Sequence, residues 1–334
     1  MKHSIFYSAV MATTAICIAA CSPTNTDVAG IGGSGITSTG TITGFGSIFV
    51  NDIEFFTSSS TFNVDDNPDL TEDDLAIGMR VTVKGTLNAD GVTGTATSVT
   101  YDDTLQGPVS NVTDIDADNK TITVLGIEVA LSSTTTKFDT SGSASGNFNF
   151  NNIQVNDNVE ISGVFNSNGV LIATRVELKE HSFTIDSIVE MRGTISGLTG
   201  TDFILNLQGI IGVTVNVDAK SAALEDLPGL SNGAFVEVKG TCEDLTCTTI
   251  IATRIQGESD GYDNGDGENE VEIDGFITRY ADDSDFDVNG LPVNASEAEF
   301  EPSSLVLAES LRVEVEGTVV NDILMATKVK LEDD

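Results

Sequence analysis

Hydrophobic and polar residues alternate strictly in four short runs of the chain. The runs are Met79–Gly85, Asn158–Gly163, Phe235–Gly240 and Arg312–Gly317. A period of two is typical of a β-strand with one buried face. It places Val81 and Val83, Val236 and Val238, or Val313 and Val315 on one face. Lys84, Glu237 and Glu314 fall on the opposite face. We therefore predict four equivalent strands, each with one dry face.

These runs recur at an almost constant interval. Their closing glycines, Gly85, Gly163, Gly240 and Gly317, are separated by 78, 77 and 77 residues, which is typical of tandem repeats. A hairpin and another strand follow each run. These later strands are Thr95–Tyr101, Leu171–Leu178, Ile250–Ile255 and Leu324–Leu331. Three looser strand patterns precede each run, with short connectors such as residues 68–78 and 224–233 before it.

Each copy is thus predicted to contain three strands, a connector and two strands. We expect an all-β fold of four tandem, small, five-stranded OB-like β-barrels, because closing a sheet removes its free edges. Small β-sandwiches are the alternative for the same pattern. The predicted ranges are 38–103, 104–183, 184–257 and 270–334 for repeats 1 to 4, with an acidic linker at 258–269.

The first 20 residues have the layout of a lipoprotein signal peptide. An apolar stretch, Ile5–Ala20, follows Lys2 and contains no acid. It ends at Cys21, and Ile18–Cys21 resembles the lipobox of bacterial lipoproteins, in which the cysteine sulfur receives a diacylglycerol. An ordinary signal peptide with a chance cysteine is the alternative. We predict removal of residues 1–20, lipidation of Cys21 and a flexible tether at 21–37.

The residue after the predicted lipidation site indicates a location. Ser22 resembles the residue found in lipoproteins that are passed to the outer membrane, where Asp would be the usual retention signal. We therefore expect a bacterial cell-envelope protein, lipid-anchored in the outer membrane and either periplasmic or surface-exposed.

Two cysteines remain once Cys17 leaves with the signal peptide and Cys21 is lipidated. Cys242 and Cys247 lie between two strand-like runs, in a compartment where disulfides persist. The neighbouring Glu243 would raise a thiol pKa rather than lower it, which argues against a reactive or metal-binding pair. We predict a disulfide across a hairpin.

The charge of the chain excludes one class of function. It has 15 Lys and Arg against 52 Asp and Glu, a net charge of −37. Such a polyanion repels phosphate backbones, so we expect no nucleic-acid partner. A basic partner, divalent cations or a salty environment would all suit it.

The densest acidic segment invites comparison with calcium sites. Asp260, Asp263, Asp266 and Glu268 lie among glycines, and Ca²⁺ binds six to eight oxygen ligands. Their spacing differs from that of an EF-hand loop. A solvated, self-repelling linker is the favoured interpretation, and a calcium site formed by these four residues is the alternative.

Two other features each have a structural and a functional interpretation. His181 lies beside Glu180 in a polar stretch, where a solvated loop residue is favoured over a general base. The segment Gly44–Phe49 could form a ligand lip. We favour a tight barrel corner in which Phe45 or Phe49 fills the core.

The first repeat also resembles a known family. Gly40–Phe55 and Gly85–Val109 look like the signature of domain-of-unknown-function family 5666. The resemblance implies a bacterial lipoprotein or exported protein built of tandem small β-domains. It implies no catalytic residue, because the family has no established activity.

These observations predict a non-enzymatic lipoprotein that acts as a binding or scaffold module. We expect a rigid acidic rod, bound to the membrane through its lipid and to a protein or another envelope component through its loops. A calcium-dependent adhesion or surface-binding protein is the first alternative. An envelope hydrolase using paired carboxylates is the second.

Overall fold

The computed structural model describes residues 35–140, 146–206, 214–258 and 270–332. Their regular structure is β apart from one 3₁₀ helix at Glu72–Asp74. Barrel 1 contains β1 (Gly35–Thr41), β2 (Gly44–Phe45), β3 (Ile48–Val50), β4 (Ile53–Phe56), β5 (Thr61–Val64), β6 (Arg80–Leu87) and β7 (Thr93–Tyr101). Barrel 2 contains β8 (Leu105–Asp114), β9 (Asn119–Val124), β10 (Ile127–Ser132), β11 (Lys137–Thr140), β12 (Asn158–Phe165) and β13 (Leu171–Glu180).

The second half of the chain repeats this series. Barrel 3 contains β14 (Val189–Thr199), β15 (Asp202–Asn206), β16 (Thr214–Asp218), β17 (Ala223–Glu225), β18 (Phe235–Cys242) and β19 (Thr249–Gly257). Barrel 4 contains β20 (Glu270–Asp282), β21 (Asp285–Val288), β22 (Leu291–Asn294), β23 (Glu299–Glu301), β24 (Arg312–Val320) and β25 (Ile323–Leu331). No helix in the described ranges is long and apolar enough to cross a membrane.

Each group of strands forms a five-stranded barrel. In barrel 2, β8 pairs with β9, β9 with β10, β10 with β13, β13 with β12, and β12 returns to β8. Only the β10–β13 contact in this ring is parallel. Barrels 3 and 4 have the same order, and barrel 1 follows it with its first strand split into β1 and β2, of which β2 pairs with the second strand, β3. This Greek-key order is that of an OB-like barrel, so the predicted fold is confirmed over the sandwich alternative.

The predicted inward faces form the barrel cores. The six valines that alternation places inward on β6, β18 and β24 are at most 1% exposed. In barrel 1, however, the prediction that Phe45 or Phe49 fills the core is wrong. Phe45 is 41% exposed and Phe49 only half-buried, whereas Ile48 and Val50 are fully buried. Strand alternation directs residues 48 and 50 inward and residue 49 outward.

The repeated glycine has a structural reason. Gly85, Gly163, Gly240 and Gly317 each lie at a β-bulge in the fourth strand. A Cβ atom at any of them would collide with a backbone carbonyl oxygen of the fifth strand. Glycine therefore permits the close backbone approach at the bend of each barrel.

The connectors contain a strand that sequence patterns missed. β5, β11, β17 and β23 each pair in parallel with the fifth strand of their barrel. They are only three or four residues long, too short to show alternation. β1 also begins earlier than predicted, at Gly35 within the expected tether, and Ile36 is buried.

Pairing between first strands joins the barrels. β1 runs parallel to β20, so barrel 1 lies directly against barrel 4. β8 pairs with β14 and joins barrel 2 to barrel 3. The expectation of a simple rod is therefore wrong, because the first and last barrels of the chain are neighbours.

These contacts also bury charged residues that alternation places on the outer faces. Lys84 is exposed as an outer-face residue should be, but Glu237 is 1% exposed and Glu314 is 5% exposed. Neighbouring barrels cover these two carboxylates.

Candidate functional site

The predicted lipid and calcium sites lie outside the described residues. This applies to Cys21, together with the signal peptide, and to Asp260, Asp263, Asp266 and Glu268. Lipidation and calcium binding at these positions therefore stay predictions.

The predicted disulfide is present. Cys242 ends β18 and Cys247 lies in the turn before β19, with 4.9 Å between their Cα atoms. Both residues are buried. The carboxylate of Asp244 accepts hydrogen bonds from the backbone and hydroxyl of Thr246, which shapes the turn. The bridge thus clamps a hairpin.

His181 has a partner that the sequence did not reveal. Its Nδ1 atom lies 3.2 Å from Oδ1 of Asp157, whose side chain is fully buried. The imidazole itself is 45% exposed. Asp157 also accepts the backbone N–H of Gln154, so the carboxylate is fixed on both sides. Among the described residues this is the only side-chain hydrogen bond to the ring.

A large group of charged side chains lies where barrels 1, 2 and 3 meet. Its acids come from the loop after β5, the link between β7 and β8, and strands β12, β14 and β18. Its bases come from β13, β14, β18 and β19. The members of this three-barrel cluster are Asp65, Asp66, Asp102, Asp103, Glu160, Glu190, Glu237, Lys179, Arg192, Lys239 and Arg254.

Glu160 connects barrel 1 to barrel 2 within this cluster. The buried hydroxyl of Tyr101 donates to Oε1 of Glu160 over 2.9 Å. Lys179 Nζ lies 2.6 Å from the other carboxylate oxygen. Burial is the main cause that raises the pKa of Tyr101, and the negative charge of Glu160 raises it further. The phenol is therefore held as a donor.

Glu237 likewise connects barrel 1 to barrel 3, through two arginines. Arg192 NH2 lies 2.8 Å from Oε2 of Glu237, and Arg254 NH2 lies 2.7 Å from Oε1. Both guanidinium groups also reach barrel 1, because Arg192 pairs with Asp102 at 3.4 Å and Arg254 pairs with Asp66. Removing either arginine would leave a buried carboxylate short of a partner.

Burial raises the pKa values of several acids of the cluster. Burial, followed by the charge of Glu237, raises the pKa of Glu190 to about 8, although Lys239 lies 2.5 Å away. Burial also raises the pKa of Asp65 to about 7 and that of Asp103 well above its ordinary value. Protonation is the means by which an excess of buried acids avoids uncompensated charge.

A second charged interface lies between barrels 1 and 4. Asp274 of β20 contacts Arg80 of β6 at 2.9 Å and Arg312 of β24 at 3.0 Å. Nearby, Ser38 donates to Glu272 over 2.6 Å. Burial and the charge of Glu314 raise the pKa of Glu272 to about 8 against the opposing effect of the Ser38 hydrogen bond.

Three sets of carboxylates are close enough to share a cation. Within each set the ligand oxygens lie within 4.8 Å of one another. The sets are Asp66, Glu190 and Glu237; Glu272, Glu314 and Glu316; and Asp52, Glu314 and Glu332. Oxygen donors of this kind suit Ca²⁺.

Side-chain cations already neutralise part of each set. Arg254 contacts Asp66 and Glu237 in the first set. Lys328 Nζ lies 3.1 Å from Glu316 in the second, and Lys330 Nζ lies 2.6 Å from Asp52 in the third. The geometry therefore favours ion pairs that join barrels over a dedicated metal site.

Sequence reasoning missed these interfaces, although one signal was present. Glu160, Glu237 and Glu314 occupy the same position of the repeat, two residues after the start of the fourth strand. An acidic residue that recurs on a strand face predicted to be exposed to solvent indicates a contact that the repeats have in common. The partners come from other repeats, so no local pattern identifies them.

A family model matches each barrel in turn. The model, described as a domain of unknown function (DUF5666), matches residues 36–100, 106–177, 192–256 and 274–330. The chain belongs to the DUF5666 family. The resemblance predicted from the first repeat is thereby confirmed, and it extends to all four DUF5666 domains.

Other comparisons add little to this assignment. No curated protein matches the chain. Among solved structures, Drosophila Unr CSD456 is 16% identical, with 70% of this chain and 98% of that chain covered and a TM-score of 0.18.

Proposed function

We propose that this DUF5666 protein is a non-enzymatic binding or scaffold protein of the bacterial cell envelope. The observation that carries the proposal is that acidic side chains of the protein itself neutralise most of its described lysine and arginine side chains. Most described Lys and Arg side chains pair with acids within or between barrels, in a chain with 52 acids and 15 bases. Negative charge therefore dominates the outer surface, which suits a partner with a basic surface.

The fixed arrangement of the barrels supports a scaffold role. Two strand pairings and the charged interfaces hold four small domains in one relative orientation. A scaffold benefits from this order, because binding to a preorganised surface costs less conformational entropy.

The proposed location is the outer membrane, through a lipid on Cys21. The support is the lipobox-like ending of the apolar N-terminal stretch and Ser22 after it. Two acyl signals suffice for stable anchoring, since each buried CH₂ contributes about 0.8 kcal/mol.

Fractionation of expressing cells tests the anchor. The wild type and Cys17→Ala, which keeps the lipobox residues, should fractionate with membranes and incorporate labelled palmitate. Cys21→Ala should do neither. Membrane-bound, labelled Cys21→Ala would show that the anchor is elsewhere.

Crosslinking in cells, followed by mass spectrometry, tests the binding role. We expect a neighbour with a basic surface whose capture is lost at about 0.5 M salt, where screening shortens the range of charge interactions to about 4 Å. Capture that is indifferent to salt, or no reproducible neighbour, would contradict binding through the acidic surface.

A second candidate, a calcium-dependent adhesion protein, rests on the three carboxylate sets, whose oxygens lie within 4.8 Å of one another although ion pairs neutralise part of each set. It predicts that millimolar Ca²⁺ raises the melting temperature and that Mg²⁺ does not, because Mg²⁺ requires stricter geometry and retains water. Equal effects of the two ions would count against it.

A further inference from the structure

A groove of about 800 Å³ lies where barrels 1, 2 and 4 meet. Its accessible apolar lining comes from Ile77, Ala130 and Ile172, whereas the lining residues Ile42, Leu131 and Phe276 are buried. Threonine, serine and asparagine side chains form much of its rim, including Thr43, Asn119, Ser132, Thr134, Thr135 and Asn166. This volume is within the range of sites that enclose small organic ligands.

Contacts between barrels fix the walls of the groove. The hydroxyl of Thr174 in barrel 2 donates to the carbonyl of Gly78 in barrel 1 over 2.6 Å. Arg175 donates to the carbonyl of Ile77 over 3.3 Å. Gly78 has a φ of +92°, and a Cβ there would press on the carbonyl of Thr174, so glycine permits this approach. The groove is therefore a preformed product of barrel packing.

The charge of the groove differs from that of the chain. None of the described residues that line it is Asp or Glu, although 52 of the 334 residues are acidic. The two charged lining residues are Lys137 and Arg312. Arg312 is held by Asp274, whereas Lys137 is exposed and takes part in none of the ion pairs among the described residues. Within the part of the chain that the structure describes, Lys137 thus lies at the edge of the groove without an ion-pair partner.

We infer that this groove binds an amphipathic organic anion, an apolar body with one acidic group. The apolar side chains of Ile77 and Ile172 would cover the apolar body of the ligand. A hydrated inorganic ion has no such apolar body and would gain nothing from these side chains. Lys137 would contact the acidic group, because no carboxylate among the described residues forms an ion pair with its ammonium group. The inference goes beyond the proposed function and requires only the packed barrels, not the lipid anchor.

A pair of matched fluorescent probes tests the inference. 1-Anilinonaphthalene-8-sulfonate has an aromatic body and one sulfonate, and N-phenyl-1-naphthylamine has the same body without charge. Both are titrated into the full chain carrying Cys21→Ala, purified without detergent. We expect saturable binding of one sulfonate probe per chain, tighter than binding of the neutral probe.

Three variants locate the site. Lys137→Glu should weaken binding of the sulfonate probe about tenfold or more and leave the neutral probe within about twofold. Lys220→Glu makes the same charge change at an exposed residue outside the groove and should leave both probes within about twofold. Ile77→Ser removes a wall residue that is 40% exposed, so folding should tolerate it, and it should weaken both probes.

Circular dichroism confirms that each variant is folded. Absence of saturable sulfonate binding, or equal effects of the two lysine variants, would overturn the inference. So would a preference for the neutral probe, which would assign the groove to uncharged apolar ligands.

Discussion

Replacing Asp274 by asparagine should weaken the interface between barrels 1 and 4 and lower the free energy of unfolding. The substitution keeps the shape of the side chain. The Asp274 carboxylate is buried and receives Arg80 NH1 at 2.9 Å and Arg312 Nε and NH2 at 3.0 Å. Burial alone would raise the pKa of Asp274, but Arg80 and Arg312 outweigh it and hold the pKa below its ordinary value. The carboxylate is therefore charged in the native protein.

The expected cost follows from the exposure of the two arginines. Their side chains are 11% and 22% exposed, so asparagine would remove the anion that two largely buried cations share. Breaking a buried pair from one side costs about 3–5 kcal/mol. We expect about 3 kcal/mol, because Arg312 retains some access to water. At about 2–4 °C per kcal/mol, the melting temperature should fall by about 6–12 °C.

Scanning calorimetry provides the measurement, with two comparisons. Asp285→Asn removes a partner of Arg279 where both side chains are about half exposed, and it should cost at most about 1 kcal/mol. The triple variant Arg80→Met, Asp274→Leu, Arg312→Met should recover most of the lost stability, because apolar replacement of a buried ion network is often neutral or stabilising. A melting temperature of Asp274→Asn within about 2 °C of the wild type would refute the reasoning.

Three further predictions follow from the same structure. Glu190 and Glu272 have pKa values of about 8, above the ordinary 4.5, so the folded state binds more protons between about pH 4.5 and 8 and the unfolding free energy should fall as pH rises through that window. Melting temperatures measured from pH 5 to 9 check this. A melting temperature that rises with pH, or a fall that Glu190→Gln leaves unchanged, would contradict it. Val315→Asp should unfold barrel 4, because an unpaired charge would enter a fully buried position, whereas Val306→Asp, at a position 79% exposed, should leave circular dichroism unchanged. Reducing Cys242–Cys247 should cost about 2 kcal/mol, as expected for so short a loop; two thiols titrating in the native, unreduced protein would disprove the bridge.

The alternation of residues predicted the interior of each barrel because that interior is a local property. Val313 and Val315 lie two residues apart, and the strand period directs both side chains to the same side. The spacing of Gly240 and Gly317 likewise predicted the repeat, since every copy needs the same close approach at its bulge. The disulfide was predictable for the same reason, because its two cysteines belong to one hairpin.

The sequence did not predict which outer faces are covered. Alternation shows that Glu237 and Glu314 point away from their own barrel, but it carries no information on a neighbouring barrel. Asp66 and Arg254 are 188 residues apart, and Arg80 and Asp274 are 194 apart, so only the packed chain brings these groups together.

The division has a physical basis. By itself, the sequence determined the four barrels, their strand order and their inward faces, because hydrophobic period and backbone sterics act within a few residues. Only the tertiary structure decided that barrel 1 meets barrel 4, that acids are buried between barrels, and that an acid-free groove forms around Lys137. Those outcomes depend on how charged outer faces pair after each barrel has closed, and such pairing is set by contacts between distant parts of the chain.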